Sequence, residues 1–244
     1  MSRYGYDLHV HSCLSPCADD DMTPANIAGM ASLNGITLLA LTDHNSAKNC
    51  PPFFAHCKKH GIVPVPGMEL TTSEDVHVIC LFPTLESALE MDRIAEEKLV
   101  KVKNRPEIFG RQIVVDPDDE PVRELDDLII NATTLDLRAA YDTVLSLGGV
   151  AYPAHIDRQS NGIVSVLGSF PSTPPYTAYE LNDGSKREEY LSRFPILSGL
   201  RHVVSSDAHH LWDISDGSNV LDIDDEPYTS DTVRLRLIDY LLGR

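Results

Sequence analysis

Residues 36–44 read ITLLALTDH, an apolar run typical of a buried strand that changes abruptly to Asp43 and His44 at its end. The residues before it, 23–35, open with Thr-Pro and close with Gly, the order that marks the start and end of a helix. A second apolar run follows at 62–70. Short strands that alternate with helices predict parallel strands joined by crossover helices, and therefore an α/β fold.

The same pattern extends over most of the 244 residues and predicts one domain, 1–244. Further strands are predicted at 7–11, 76–82, 150–155, 179–183, 201–210 and 219–223. Further helices are predicted at 47–61, 85–104, 135–149 and 231–243. Residues 84–134 depart from the alternation, because a charged helical stretch is followed by two short strands around an acidic turn at 111–124. This segment is the predicted insert or cap.

Charge limits the partners that the sequence predicts. The formal net charge of -17 argues against a surface that binds nucleic acid by neutralising phosphates, so no long nucleic acid is expected as a partner. A small anionic substrate remains compatible with this charge, since divalent cations in a cleft reverse the local field. The sequence says nothing about the oligomeric state.

The cysteines and the apolar runs predict a cytoplasmic protein. Five cysteines are an odd number in a chain that needs no disulfides, which favours reduced thiols. Cys13 and Cys17 form a C-x3-C pair, but no second pair follows, so metal binding by these thiols is disfavoured. The first residues contain no signal-peptide core, and no run of 18 apolar residues occurs, so neither secretion nor membrane insertion is expected.

Histidines and acids cluster at the predicted strands. In DLHVHS, residues 7–12, a strand would place His9 and His11 on one side together with Asp7. The full set at strand ends, or in one case within a strand, is His9, His11, His44, Glu69, His77, His155, Asp207 and His209. Any one of these histidines alone suits a structural role, but strand ends of an α/β barrel or sheet meet on one face. The conjunction predicts a metal site, with donors that suit zinc, manganese or iron.

The same motifs resemble those of the polymerase and histidinol phosphatase (PHP) family. The resemblance rests on DLHVHS at 7–12, LTDHN at 41–45, GMEL at 67–70, a strand histidine at 77, AH at 154–155 and SDAH at 206–209. It implies a distorted (β/α)7 TIM-like barrel with two or three divalent metals at the strand ends, which hydrolyses phosphoesters through a metal-activated hydroxide. It also implies that the eight residues of the set are the metal ligands.

The resemblance implies one further ligand, an aspartate in the loop after the first histidines. Counting back from the Thr-Pro pair of this loop points to Asp19. The loop is longer than the usual family pattern, so Asp20 remains an alternative.

Two residues near the predicted ligands suit roles in catalysis. Arg158 lies three residues after His155, and a guanidinium fork binds two phosphate oxygens; alternatively it pairs with Asp157 or another acid. His210 directly follows the SDAH motif and could protonate the leaving oxygen, or it could simply be exposed. Lys186, Arg187 and Arg111 could approach the mouth of the site.

The predicted function is therefore that of a metal-dependent phosphomonoesterase acting on a small substrate, such as a nucleotide, a bisphosphonucleoside or a phosphorylated metabolite. Two alternatives remain. One is a PHP module that binds metal without catalysis. The other is a metal-dependent amidohydrolase, which is disfavoured because Glu69 and His77 stand where that family usually has a lysine and two histidines.

Overall fold

The computed structural model describes all 244 residues. Its strands are β1 (Ser2–Asp7), β2 (Leu38–Leu41), β3 (Val63–Thr71), β4 (His77–Leu81), β5 (Ile113–Val115), β6 (Pro121–Glu124), β7 (Val150–Pro153), β8 (Ala178–Leu181), β9 (Arg201–Val204) and β10 (Val220–Ile223). Its α-helices are α1 (Pro24–Leu33), α2 (Cys50–Lys59), α3 (Leu85–Lys98), α4 (Pro106–Phe109), α5 (Leu137–Ser146), α6 (Ile163–Leu167), α7 (Arg187–Arg193) and α8 (Ser230–Leu241).

Seven strands curl into a distorted barrel in the order β1, β2, β3, β4, β7, β8, β9. Hydrogen-bonded ladders join the first five strands in that order and, separately, β8 to β9. Between β7 and β8, the amide of Ile156 donates to the carbonyl of Glu180 at 2.9 Å. Between β9 and β1, Val10 forms a parallel bridge with Ala208 just past both strands. Strand β10 pairs antiparallel with the first half of β1. The predicted distorted (β/α)7 barrel is confirmed.

The prediction of parallel strands is correct for only part of this barrel. Strands β1, β2 and β3 are parallel, and so are β8 and β9. Strand β4 is antiparallel to both β3 and β7, because the turn between Thr71 and His77 is too short for a crossover helix. His77, the first residue of β4, pairs with Thr71 near the end of β3. The reversal therefore brings a residue from the start of a strand to the edge where the other strands end.

Successive residues of a strand point to opposite faces of the sheet, so the strands contribute to two separate apolar cores. In β2, Leu39 and Leu41 belong to the larger core, which packs the sheet against α1 and α2. Leu38 and Ala40 belong to the inner core, which α8 closes with Val233, Leu237 and Leu241. Every residue of β2 is buried, as expected for a strand covered on both faces.

The predicted helix at 23–35 is confirmed as α1. The Thr23 side chain accepts a hydrogen bond from the amide of Asn26 at 3.4 Å, Pro24 is the first helical residue, and Gly35 has a φ of 77°. These are the N-cap side chain, the proline at the first helical position and the left-handed glycine after the helix end that the sequence predicts.

The segment 84–134 contains α3, α4 and the antiparallel hairpin of β5 and β6, so both short strands predicted at 111–124 are present. Its role as an insert or cap stays a prediction. The α3 helix ends at Lys98, earlier than the expected 104. Two short helices, α6 and α7, lie in a stretch where no helix was expected. The structure contains no helix with the length and apolar character that a membrane span requires.

Candidate metal centre

Six of the seven barrel strands bring the predicted ligands to one end of the barrel. His9 and His11 follow β1, His44 follows β2, and Glu69 lies within β3. His77 begins β4, His155 follows β7, and Asp207 and His209 follow β9. All of them except His209 are buried.

Glu69 is the hub of this cluster. Its Oε1 lies 2.8 Å from His77 Nδ1, 2.9 Å from His155 Nε2 and 3.4 Å from His9 Nε2. Its Oε2 lies 3.0 Å from His44 Nδ1 and 3.4 Å from His11 Nε2. One carboxylate thus faces five imidazoles, a set of donors that would suit the binding of divalent cations.

The tautomers of His9 and His11 are set by partners behind the cluster. An ionised carboxylate only accepts hydrogen bonds, so His9 Nδ1 donates to Glu180 Oε1 at 2.8 Å. His11 Nδ1 lies 3.0 Å from Ser15 Oγ, and that hydroxyl donates to Asp43 Oδ1 at 2.7 Å, so it accepts from His11. In the neutral rings, the Nε2 atoms of both residues therefore carry no proton. They lie 3.0 Å apart and 3.2 and 3.1 Å from Asp207 Oδ1.

Several polar atoms of the cluster have no hydrogen bond within the protein. They are Nδ1 of His44, Nδ1 of His77 and Nδ1 of His155. Buried polar atoms without partners are costly, and at functional sites such atoms are typical of groups that bind an ion or water. His44 and His77 direct theirs at Glu69 from 3.0 and 2.8 Å without hydrogen-bond geometry.

The donor atoms form three overlapping groups in which every atom lies within 4.8 Å of the others. The groups are His11 with His44 and His209; His9 with His11, Glu69 and Asp207; and His44 with Glu69 and His77. His209 Nδ1 donates to the Asp207 carbonyl at 2.8 Å, which leaves its Nε2 free. Nitrogen and carboxylate donors with fixed tautomers fit divalent metal ions.

At most positions, the electrostatics of the cluster favour the protonation state that binds a metal, which is an ionised carboxylate or a neutral imidazole. Burial alone would raise the pKa of Glu69, but the imidazoles of His77, His9 and His44 hold it well below its usual value. Burial lowers the pKa of His44 to about 3 and that of His209 to about 4. His9 and His11 differ, because burial is outweighed by their acidic partners: Asp207, Glu180 and Glu69 raise the pKa of His9, and hydrogen bonds with Asp207 and Glu69 raise that of His11 to about 9.

Two ligand candidates have strained backbones. His155 has a φ of 24° and Asp207 a φ of 53°, in the left-handed region that non-glycine residues rarely adopt. The amide of His155 donates to Glu180 Oε1 at 3.1 Å, which helps to hold this conformation. Strain of this kind is concentrated at functional sites, where the surrounding structure maintains it.

The loop aspartates lie at the rim and not among the three donor groups. Asp19 Oδ2 is 3.6 Å from His210 Nδ1, and the Asp19 amide donates to the carbonyl of His209 at 3.0 Å. Asp20 forms an ion pair with Arg111 at 3.1 Å. Assignment of either aspartate as a ligand stays a prediction.

The two cysteines of the C-x3-C pair also lie outside these groups. Burial raises the pKa of Cys13 to about 12, so this thiol stays protonated. Cys17 is exposed and lines the cavity above the cluster.

Arg158 reaches the centre, whereas the other predicted cations pair elsewhere. Its guanidinium lies 2.5 Å from Asp207 Oδ2 and 3.4 Å from Asn182 Oδ1. Asp157, the alternative partner, instead pairs with Lys186 at 3.3 Å. Arg187 pairs with the neighbouring Glu188. Arg158 lines a cavity of about 200 Å³ over the cluster, whose walls also include Ile130, Ser160 and Asn161.

Sequence reasoning missed Glu180, Ser15 and the role of Asp43. Glu180 is fully buried in β8 and supports both His9 and His155. The signal in the sequence is an acid inside an apolar strand, AYEL, but this acid precedes the end of the strand, where the predicted ligands lie. Ser15 and Asp43 together orient His11, and the amide of His44 donates to Ser15 Oγ at 3.1 Å.

Comparison with known proteins gives the family. A family model described as the PHP domain matches residues 7–147. The chain belongs to the PHP domain family. The predicted family resemblance is thereby confirmed over more than half of the chain.

Two curated relatives match parts of this PHP chain. An error-prone DNA polymerase of Symbiobacterium thermophilum is 36% identical over 74 residues, 30% of this chain and 7% of the polymerase. A 5'-3' exoribonuclease of Haemophilus influenzae is 26% identical over 114 residues, 43% of this chain and 40% of the exoribonuclease. The chain therefore spans less than half of either relative.

Solved structures share the PHP fold. The lesion-specific endonuclease PfuEndoQ of Pyrococcus furiosus matches with a TM-score of 0.64 and 17% identity over 99% of this chain and 56% of the endonuclease. A protein of Bifidobacterium adolescentis described as a metal-dependent phosphoesterase matches with a TM-score of 0.60 and 18% identity over 98% of both chains. Nuclease and phosphoesterase relatives agree with the predicted class, a metal-dependent phosphoester hydrolase; they do not distinguish monoesters from diesters.

One of these structures corrects the predicted partners. An endonuclease Q matches with a TM-score of 0.59 and 18% identity over 99% of this chain and 57% of its own, and it was solved in complex with a 27-mer duplex substrate that has an abasic lesion at the active site. The prediction that excluded long nucleic acids as partners is therefore wrong. Its basis was the net charge of -17, and net charge does not set the field in a cleft where metal cations carry the largest local charges.

Proposed function

We propose that this chain is a metal-dependent phosphoesterase that removes a terminal phosphate, carried by a nucleotide, by the end of a nucleic acid strand or by a phosphorylated metabolite. The observation that carries the proposal is the position of Arg158. Its guanidinium lies at the cavity above the donor cluster, 2.5 Å from Asp207. A planar fork of donors beside a cluster of carboxylate and imidazole groups suits a phosphoryl group.

The size of the cavity supports a phosphomonoester. About 200 Å³ is less than the volume of most sites that enclose a whole small molecule. A phosphoryl group would fit inside, and the group that carries it would remain at the rim. The proposal therefore concerns the phosphate end of a substrate and is compatible with both short and long carriers.

We assign His9, His11, His44, Glu69, His77, His155, Asp207 and His209 to the binding of two or three divalent ions, with Asp19 as the loop ligand. When bound, such ions activate water for attack on phosphorus and neutralise the charge of the phosphoryl oxygens. The prevalence of imidazole suits zinc or iron, and manganese accepts the same donors. We place this activity in the cytoplasm, in keeping with five unpaired cysteines.

The residues of the chain contribute orientation, binding and proton transfer. Glu180 and Ser15 hold His9 and His11 in the tautomers that leave Nε2 free. Arg158 binds phosphoryl oxygens as its ion pair with Asp207 loosens. His210 at the rim supplies a proton to the leaving oxygen, a role that contributes about 10²–10⁴ in rate for a general acid.

A phosphate-release screen of the metal-reconstituted protein tests this function. The substrates are adenosine 5'-monophosphate, adenosine 3',5'-bisphosphate, histidinol phosphate, ribose 5-phosphate and an oligonucleotide with and without a 5'-phosphate. We expect phosphate release from at least one monoester, loss of release in His9→Ala, and retention in the control His60→Ala, whose exposed side chain lies outside the centre. Strand cleavage without phosphate release would instead identify a diesterase. Bound metal with no turnover would identify a binding module, and turnover of amides alone an amidohydrolase.

A further inference from the structure

An exposed aromatic pair lies at the rim of the candidate centre. Trp212 is the only tryptophan of the chain, and 75% of its surface is exposed. Its ring stacks on that of His210 with the centroids 4.8 Å apart and the planes at 4°. One face of the indole is thus supported, and the other is open to solvent.

The segment that carries this pair is fixed to the metal centre. It begins at His209, whose ring lies 4.3 Å from that of His11. Leu211 and Ile214 turn inward against the core, while His210 and Trp212 turn outward. Trp212 comes three positions after His209, so their Cα atoms are at most about 11 Å apart. The open indole face therefore lies within reach of whatever carries a phosphoryl group held at the cluster.

Both ends of the segment are tied down. The carbonyl of His209 accepts from the amide of Asp19 at 3.0 Å. The carbonyl of Ile214 accepts from the side chain of Asn34 at 3.0 Å, and the amide of Ser215 donates to the buried Asp7 at 3.1 Å. A rigid segment presents an aromatic face without an ordering cost at the moment of binding.

We propose that Trp212, backed by His210, is the stacking platform for the nucleobase next to the scissile phosphate, so that the substrate class is a nucleotide, free or at a strand end. This inference rests on the proposed function of the centre. Stacking of a base on an aromatic ring tolerates any base, because every base has a π face. It also needs no positive surface, in keeping with the net charge of -17.

The surroundings of Trp212 favour a base over a membrane or an apolar partner. The exposed side chains of Asp213 and Asp216 lie in the same segment, and Asp19 lies 3.6 Å from His210. Acidic neighbours repel anionic lipid headgroups. A single ring is also too small for an apolar protein interface, whose patches cover several hundred Å².

The single tryptophan provides a direct test, because its fluorescence reports on this position alone. The metal-loaded protein is titrated with adenosine 5'-monophosphate, with 5'-phosphorylated tetradeoxyadenylate and with ribose 5-phosphate. We expect saturable quenching by one or both of the base-bearing ligands and none by ribose 5-phosphate, and the more effective ligand identifies a free nucleotide or a strand end as the source of the base. Absence of quenching by both, or equal quenching by ribose 5-phosphate, would overturn the inference.

Kinetics separate this inference from the proposed function. Trp212→Ala is expected to lower the ratio of kcat/KM for the nucleotide to kcat/KM for ribose 5-phosphate by roughly five- to a hundredfold, and Trp212→Phe is expected to retain most of it. An unchanged ratio in Trp212→Ala overturns the platform while leaving the phosphoesterase intact. Quenching without phosphate release from any substrate supports the platform and overturns the proposed function.

Discussion

At the scale of a residue, Glu69 shows why this cluster suits cations. Five imidazoles surround one buried carboxylate, and Asp207 adds a second within 3.2 Å of His9 and His11. Groups of this kind are seldom buried unless they are paired or bind metals, because desolvation is costly. The Nδ1 atoms of His44, His77 and His155 have no hydrogen bond within the protein, so the cost of their desolvation is not offset by the protein alone.

Glu180 is expected to act behind the metal ligands. Glu180→Gln removes the charge that fixes His9 Nδ1–H, so metal affinity should fall about 10–100-fold, the usual effect of losing such a support. Chelator competition measures the affinity, and Glu189→Gln, on an exposed position of α7, is the matched control. Equal affinities in the two variants would show that Glu180 does not position His9.

The stability of the metal-free protein should depend on pH through His9 and His11. Both have a pKa raised in the folded state, that of His11 to about 9, because acidic partners outweigh burial. Their protonation stabilises the fold fully below the unfolded pKa of about 6.5, and this contribution is lost as the pH rises through their folded pKa values, that of His11 being about 9. Burial lowers the pKa of His44 and His209, which act in the opposite sense only below pH 6.5.

Thermal unfolding checks this expectation. The Tm of the chelated protein should fall between pH 6.5 and 9, and the metal-loaded protein should lose less, since bound cations replace the protons. A Tm of the chelated protein that rises over this interval would contradict the assigned protonation.

Position along a strand was enough to predict which residues lie together, whereas their role as metal ligands stays a prediction. The histidines and acids at strand ends meet because strand ends converge, which requires no knowledge of side-chain contacts. Glu180 escaped because its role depends on which neighbour lies across the barrel. Asp19 and Asp20 stay undecided for a related reason: loop length, and not strand geometry, sets where they lie.

At the scale of elements, one buried amide joins the centre to the segment 84–134. Asn49, at the start of α2, donates to Ser12 Oγ at 3.0 Å and to the carbonyl of Ile113 at 3.1 Å, and it accepts from the amide of Val115 at 3.1 Å. Strand β5 is thereby held against the loop that follows His11.

Replacement of this amide should loosen the contact. Asn49→Ala leaves buried backbone groups of β5 unpaired and should lower the free energy of unfolding by roughly 1–3 kcal/mol. Asn26→Ala, at an exposed position, should change it by less than about 0.5 kcal/mol. Denaturant unfolding of both variants provides the comparison, and equal losses would mean that the amide does not anchor β5.

Helix α1 offers a stabilising substitution. A Cβ added at Gly29 would meet nothing within 4 Å, so Gly29→Ala should raise the free energy of unfolding by roughly 0.5–1 kcal/mol. Gly35→Ala, in equally open space but at a φ of 77°, should lower it. Calorimetry of the pair separates helix propensity from backbone strain; a loss of stability in Gly29→Ala would contradict the account of α1.

Helices and strands were predicted best where specific residues mark the start and the end of an element. Thr23, Pro24 and Gly35 bound α1 as expected. The antiparallel direction of β4 was missed because parallel and antiparallel buried strands have the same apolar pattern. Only the short turn before His77 indicates that β4 is antiparallel. The helices α6 and α7 were missed because five and seven residues give too short a pattern to recognise.

At the scale of the whole molecule, charge and site must be considered separately. The net charge of -17 belongs to the surface, whereas the candidate centre concentrates imidazole and carboxylate groups of the kind that bind cations. The fold followed from the alternation of strands and helices together with the family resemblance. The nature of the partner could not be predicted in this way, because the net charge describes the whole chain, whereas a substrate contacts only one cleft.

Elemental analysis of the purified and metal-reconstituted protein tests the central claim most directly. Wild-type protein and His60→Ala should contain two or three equivalents of zinc, manganese or iron per chain, and Glu69→Gln should contain at least one fewer, because Glu69 belongs to two of the three donor groups. Fewer than two equivalents in the wild type after reconstitution, or the same content in Glu69→Gln, would contradict a metal centre built around this carboxylate.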